Sequence, residues 1–431
     1  MRVVIIVLAA LLVVVGAVVV PFSRADAAEA GAPVSCGVAQ LAPVLADDDV
    51  QPRPVSALVP IVLLHGWLGT ATHDASRTGA FSHLVDMVSS ESPTAPLGAP
   101  EPSLLGRLQQ IAGATVYTFD YRRLAARWVT DPGISDALAA SVDCVVSATG
   151  HRAIIVAHSM GGLAARQALS GTVDGTAVAS MVSTVLTFGT PNTGSDVASQ
   201  LGRLVDAAPH AIPAASAGLD PQGLGFSSFL ASCGDAVSEN AGSAGECTGV
   251  PMIDALSSEA GLGLRTGSAQ LGALPPWPAG VHVLALVGDI RVTAGVVLGQ
   301  ATQPVDVGDI MVATGSAQAG VDDYVVSTCR YTLLAMPDIP SVVAEISPLA
   351  RLGTSLRFAK LVVDVDASPC HHARLTRNVD LVRHATSAVA EAIAAEISAP
   401  RPDIAGTRGA PRAQEARRVR CSIHDEWSCA T

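Results

Sequence analysis

Aromatic side chains make up only 3% of this 431-residue chain, and Lys360 is its single lysine. A nucleic-acid surface needs a basic stripe and rings for bases to stack on, and a chain with a formal net charge of −12 offers neither. The shortage of rings also argues against a sugar-binding groove. None of the cysteine and histidine spacings of a zinc site is present, so no metal and no cofactor is implied.

What is present begins with an export signal. Arg2 precedes an unbroken apolar run from Val3 to Val20, followed by Pro21 and the small-x-small string Ala25-Asp26-Ala27. This layout predicts a secretory signal peptide over residues 1–27, and the run is also just long enough for an uncleaved membrane anchor. Eight cysteines, an even number, suit an oxidising compartment and predict disulfides. The connectivity stays open. Cys233 with Cys247 and Cys421 with Cys429 are spaced to close local loops, which leaves Cys329 with Cys370 and Cys36 with Cys144.

The length allows one large domain with appendages, since single cores stop growing near roughly 250–300 residues. Residues 28–57, rich in alanine and proline and without period, read as a linker. From 58 to 398 short apolar runs alternate with helical patterns. Ile61–Leu64, Thr115–Phe119, 153–157, Val182–Phe188 and Val281–Val287 read as buried parallel strands, and Ile134–Ser147 and Val379–Ile397 as helices. The alternation predicts an α/β fold, a mostly parallel central sheet with helices on both faces and sites at the carboxyl ends of the strands. Within it, the Gly-, Ala- and Ser-rich stretch of about 196–275 reads as a cap insertion. The polar, arginine-containing residues 399–431 read as a flexible tail.

The most informative string is Ala157-His158-Ser159-Met160-Gly161, which follows the strand Ala153–Val156 and opens the helical stretch Gly162–Leu169. A strand that turns sharply into a helix around one serine is a nucleophile elbow. Ala157 and Gly161 must be small because the two backbones nearly touch there. The N-terminus of the helix turns N–H groups and partial positive charge toward the place where an oxyanion would form.

The elbow, together with His65-Gly66-Trp67-Leu68-Gly69 after the first strand and Gly189-Thr190-Pro191-Asn192-Thr193-Gly194-Ser195, resembles the α/β-hydrolase superfamily and, within it, the bacterial secreted lipases and esterases. The resemblance covers roughly residues 58–398 and implies a serine, an acid and a histidine in that chain order. For the acid, Gly308-Asp309-Ile310-Met311-Val312 with Ser316-Ala317 resembles the lipase pattern of an aspartate three before valine and seven before Ser-Ala, which points to Asp309. Asp289 and Asp306 lack that spacing. For the histidine, Cys370-His371-His372-Ala373-Arg374-Leu375 precedes the last helix, and only His372 has the leucine three residues on; His371 is the reserve. The oxyanion hole implied by the resemblance is the pair of backbone N–H groups of Trp67 and Met160. His65 then has a structural role in its loop, and His158, on a strand, points the wrong way to be the base.

The resemblance thus implies a secreted or envelope-bound serine carboxylester hydrolase acting through an acyl-enzyme. Its expected partners are small-molecule or lipid esters, with peripheral contact with lipid surfaces and no nucleic acid. Two rivals fit the same residues: a cell-envelope acyltransferase, in which another alcohol replaces water, and a non-catalytic envelope protein that kept the fold.

Overall fold

The computed structural model of the chain describes residues 35–45, 58–67, 69, 79–93, 95, 97–199, 256–293, 296–297, 300–301, 304–332, 364–365 and 367–399. The expected export segment, nearly all of the tail, most of the cap and the cysteines at 233, 247, 421 and 429 lie outside them. Among the described residues no helix is long and apolar enough to cross a membrane.

The strands in chain order are β1 (Ser35–Cys36), β2 (Ala39–Leu41), β3 (Val59–Leu64), β4 (Ala114–Phe119), β5 (Ala153–His158), β6 (Thr172–Val173), β7 (Thr176–Ala177), β8 (Val182–Phe188), β9 (His282–Thr293), β10 (Val296–Val297), β11 (Gln300–Ala301), β12 (Val305–Asp306) and β13 (Asp323–Thr332). The helices are α1 (Leu104–Gln110), α2 (Ser135–Thr149), α3 (Met160–Leu169), α4 (Glu259–Gly263), α5 (Ala269–Gly272), α6 (Thr314–Ala317) and α7 (Val379–Ser398). Nine strands form one sheet in the order β1-β2-β4-β3-β5-β8-β9-β12, with β13 also paired to β9. The pairs from β4 through β3, β5, β8 and β9 to β13 are all parallel, while β1-β2, β2-β4 and β9-β12 are antiparallel.

The parallel strands are buried on both faces, which is why they read as continuous apolar runs rather than alternating ones. Ile61 and Leu63, Ile154 and Val156, Leu186 and Phe188, and Leu284 and Leu286 point to one side, where they pack with Leu104, Leu105 and Leu108 of α1 and Val382, Val389 and Ile393 of α7. The intervening residues face the opposite layer, where α2 and α3 pack against each other and against β3 and β5. The result is the α/β fold expected from the alternation, with helices on both faces.

Two segments depart from the sequence reading. Residues 35–45, inside the stretch read as a linker, form the antiparallel edge of the sheet: Ala39 pairs with Phe119, and Cys36 is bonded to Cys144 of α2. Strands of two and three residues carry too little alternation to be seen in sequence. The second is the strand read as Val281–Val287, which extends further and is followed by more strands before Asp309. β9 runs on to Thr293, the chain makes the β10-β11 hairpin, and β12 returns antiparallel beside Arg291 and Val292. Hydrogen bonds from Ile290 N to Gly308 O (2.7 Å) and from Val307 N to Ile290 O (3.0 Å) then fasten the turn that carries Asp309.

Candidate active site

Ser159 sits between the last residue of β5 and the first of α3, with φ 54° and ψ −128°. This left-handed backbone is rare for a residue with a β-carbon and costs on the order of 1–3 kcal/mol, so the surroundings must hold it. Its N–H donates to Phe188 O (2.8 Å), and Thr190 Oγ1 donates to its carbonyl (2.9 Å). The crowding expected at the elbow is real. A β-carbon on Gly161 would lie 2.5 Å from His65 O, one on Gly162 2.1 Å from Thr190 Oγ1, and one on Gly66 2.7 Å from the Ser159 β-carbon.

His372 Nε2 lies 2.8 Å from Ser159 Oγ, and His372 Nδ1 lies 2.7 Å from Asp309 Oδ2. The acceptor-only carboxylate fixes the proton on Nδ1, so Nε2 carries the lone pair that faces the hydroxyl. Asp309 is 1% exposed, and its other oxygen accepts from Met311 N (3.0 Å) and Val312 N (2.7 Å). Positive φ at Gly308 (61°) and Ile310 (80°) on either side makes the turn tight enough to aim that carboxylate. His371, the reserve histidine, is buried, and its Nδ1 accepts from Ala373 N at the start of the 3-10 turn His372–Arg377.

The sequence spacing used to choose Asp309 has a mechanical basis. Thr193 N donates to Ser316 Oγ (3.1 Å), Ser316 Oγ donates to Gly194 O (2.8 Å), Asn192 Nδ2 donates to Ala317 O (3.1 Å), and Ser195 Oγ donates to Met311 O (2.6 Å). These bonds therefore tie the segment that carries Asp309 and Ser316-Ala317 to the one that begins at Gly189. By contrast Asp289, fully buried on β9, turns Oδ2 to Arg291 Nε (2.7 Å) and Thr328 Oγ1 (3.2 Å). Burial, with the carboxyl of Asp306 beside it, raises its pKa against the charge of Arg291. Asp306 caps the next turn, accepting from Gly308 N (2.9 Å).

Met160 is the first residue of α3, and the leading N–H groups of a helix have no intrahelical partner. Trp67 stands in the turn closed by Gly69 N to Gly66 O (3.1 Å), next to Gly66, on which a β-carbon would crowd the Ser159 side chain. His65 holds that turn from below. Its Nδ1–H donates to Gly66 O (2.9 Å), its Nε2 accepts from Tyr121 N (3.0 Å), its carbonyl accepts from Tyr121 OH (2.7 Å), and the two rings stack at 4.0 Å. Asp120 lies beside it; burial raises the carboxyl, but the adjacent His65 ring and the hydrogen bonds from Arg122 outweigh that and leave the pKa well below the ordinary carboxylate range. His158 does not reach Ser159 Oγ; its Nε2–H donates to the backbone carbonyl of His372 (3.0 Å). Enclosure by neighbours, and then the adjacent His372 imidazole, lower its pKa to about 3 against the opposing effect of that hydrogen bond.

Sequence reasoning missed two glycines that line the contact between Asp309 and His372. A β-carbon on Gly189 would stand 2.7 Å from Asp309 Oδ2, and one on Gly288 would stand 2.3 Å from Cys370 O and 3.1 Å from the Asp309 β-carbon. Gly189 was visible as part of a motif, but its approach to Asp309 is made only by tertiary folding. The disulfide Cys329–Cys370 likewise anchors the histidine loop to β13, and Asn378 closes it by donating to Pro369 O (2.9 Å) while capping α7.

No protein-family model matches the sequence, and no curated protein matches it. Among solved structures, the chain is similar to Aspergillus fumigatus lipase B at 10% identity and a TM-score of 0.35, covering 79% of this chain and 66% of that one. It is similar to the Pyrococcus furiosus esterase PF2001 at 14% identity and a TM-score of 0.30, covering 70% and 82%. It is also similar to the mature form of the Bacillus licheniformis lipase BlEst2 at 17% identity and a TM-score of 0.38, covering 68% of this chain and 90% of that one.

Proposed function

We propose that the chain is an exported serine carboxylester hydrolase that works through an acyl-enzyme, with lipid-like acyl esters as its substrates. One observation carries the reading: the unbroken hydrogen-bond series from Ser159 Oγ through both ring nitrogens of His372 to Asp309, at 2.8 and 2.7 Å. A serine hydroxyl is a poor nucleophile until a base takes its proton, and this series supplies the base and the group that orients it.

Ser159 Oγ attacks the ester carbonyl carbon while its proton passes to His372 Nε2. Asp309 stabilises the imidazolium, and the amides of Met160 and Trp67 hold the oxyanion of the tetrahedral intermediate. Collapse breaks the carbon–oxygen bond to the alcohol, which leaves with the proton from His372. Water then attacks the acyl-enzyme by the same route, releasing the acid and restoring the hydroxyl. Two disulfides, Cys36–Cys144 and Cys329–Cys370, support an oxidising, extracytoplasmic setting.

The test is hydrolysis of short p-nitrophenyl esters together with labelling by a fluorophosphonate, the adduct located by mass spectrometry. The adduct is expected on Ser159, with Ser159→Ala neither labelled nor active. Absence of both from the wild type would leave the non-catalytic rival standing, and an acceptor alcohol that captures the acyl group in place of water would turn the reading to acyl transfer.

A further inference from the structure

His372 is held at four points. Nδ1–H donates to Asp309 Oδ2 (2.7 Å), Nε2 meets Ser159 Oγ (2.8 Å), the backbone N–H donates to Asp309 O (2.9 Å), and the backbone carbonyl accepts from His158 Nε2–H (3.0 Å). Asp309 supplies two of these. The fourth comes from a different element, the last residue of β5, immediately before the nucleophile. The rings of His158 and His372 are 4.8 Å apart between centroids and inclined at 43°, so they neither stack nor share a proton.

We propose that His158 is a positioning residue for the base: by clamping the carbonyl of His372, it lets the strand that presents the nucleophile also fix the approach of the imidazole to it. The inference rests on the hydrolase reading above. Geometry selects the side chain. The clamp needs an N–H at the far end of a side chain on β5, together with no positive charge next to a group that becomes imidazolium during turnover. A neutral Nε2–H imidazole satisfies both, and the low basicity of this ring keeps it neutral across the working range. His158 Nδ1 is turned toward Gly66, 3.1 Å from where a β-carbon would lie, so the opposite edge of the ring abuts the Trp67 turn.

Glutamine can place an amide N–H near the position of an imidazole Nε2, while the shorter asparagine cannot. Kinetics of the full chain on a p-nitrophenyl ester should show His158→Asn losing about 10- to 100-fold in kcat with KM changed by no more than about twofold, as for a displaced catalytic group. His158→Gln should recover most of that loss, and the fluorophosphonate labelling rate should follow kcat in both. A purely structural role would lower the melting temperature of both variants without separating their kcat values. Asparagine and glutamine variants equally active, or equally impaired, overturn the proposal. An independent check needs no variant to fold: ring-nitrogen NMR of the wild type should report His158 as the Nε2–H tautomer, and an Nδ1–H tautomer would overturn the clamp. A wild type that neither hydrolyses esters nor takes the label would defeat the hydrolase reading; an active wild type with an unimpaired His158→Asn defeats this inference alone.

Discussion

Gly189 faces the hydrogen bond between His372 and Asp309 so closely that a β-carbon on it would stand 3.0 Å from His372 Nδ1 and 2.7 Å from Asp309 Oδ2. Its φ of 59° adds a second reason for glycine, because the left-handed region disfavours any side chain. Gly189→Ala is therefore expected to push the carboxylate and the ring apart. A kcat loss of about 100-fold should accompany a stability loss on the order of 1–3 kcal/mol. Ester kinetics read beside a denaturant melt check both; an alanine variant with wild-type kcat would mean that this contact has slack.

The acid can be identified by comparing two aspartates twenty positions apart in sequence. Asp309→Asn removes the charge that holds Nδ1–H in place and should lower kcat by roughly four orders of magnitude, the scale of such a change in a serine triad. Asp289→Asn, whose carboxyl serves Arg291 and Thr328, should keep kcat within about tenfold and show its effect in the melting temperature instead. The reverse pattern would move the acid to β9.

The contrast between those aspartates also shows where the sequence was readable. β5, β8 and the elbow were legible because wholly buried strands and glycine-limited turns leave marks in consecutive residues. Asp309 stands out in the sequence only through its spacing from Ser316-Ala317, whose hydrogen bonds to residues 192–194 give that spacing a structural basis. β13 was not singled out, since its first four residues show no burial alternation and its buried positions, Ser327, Cys329 and Tyr331, are not aliphatic. The edge strands before Leu45 and the glycines Gly189 and Gly288 depend on partners far along the chain, and nothing in their neighbours announces those partners.

The two described disulfides should separate stability from activity. Cys36–Cys144 and Cys329–Cys370 span 108 and 41 residues, so removing either should cost on the order of 3–5 kcal/mol by loss of the unfolded-state constraint. Only the second is two residues from His372. Cys329→Ala/Cys370→Ala should therefore lower kcat by about tenfold or more at a temperature where the chain is still folded, while Cys36→Ala/Cys144→Ala should leave it near wild type. Equal effects on kcat would show that the histidine loop is held adequately by Asn378 and Asp309.

His158 also predicts how stability depends on pH. Its pKa falls from the ordinary 6.5 to about 3 in the folded chain because burial, and then the neighbouring His372, disfavour the cation. The unfolded chain binds a proton at this residue as pH drops through 6.5, whereas the folded chain does not until near 3. Stability from the neutral ring is thus fully present above the unfolded value and is lost progressively on acidification, the direction required when the unfolded state binds more protons. Carboxylates titrate in part of the same window, so wild type is compared with His158→Gln, which carries the same carboxylates and the same other histidines. The melting temperature of the wild type should fall relative to that of the variant between about pH 7 and pH 4.5. A difference that stays flat over that interval would mean that His158 is protonated as readily in the folded chain as in the unfolded one, and a cation would then sit beside the base.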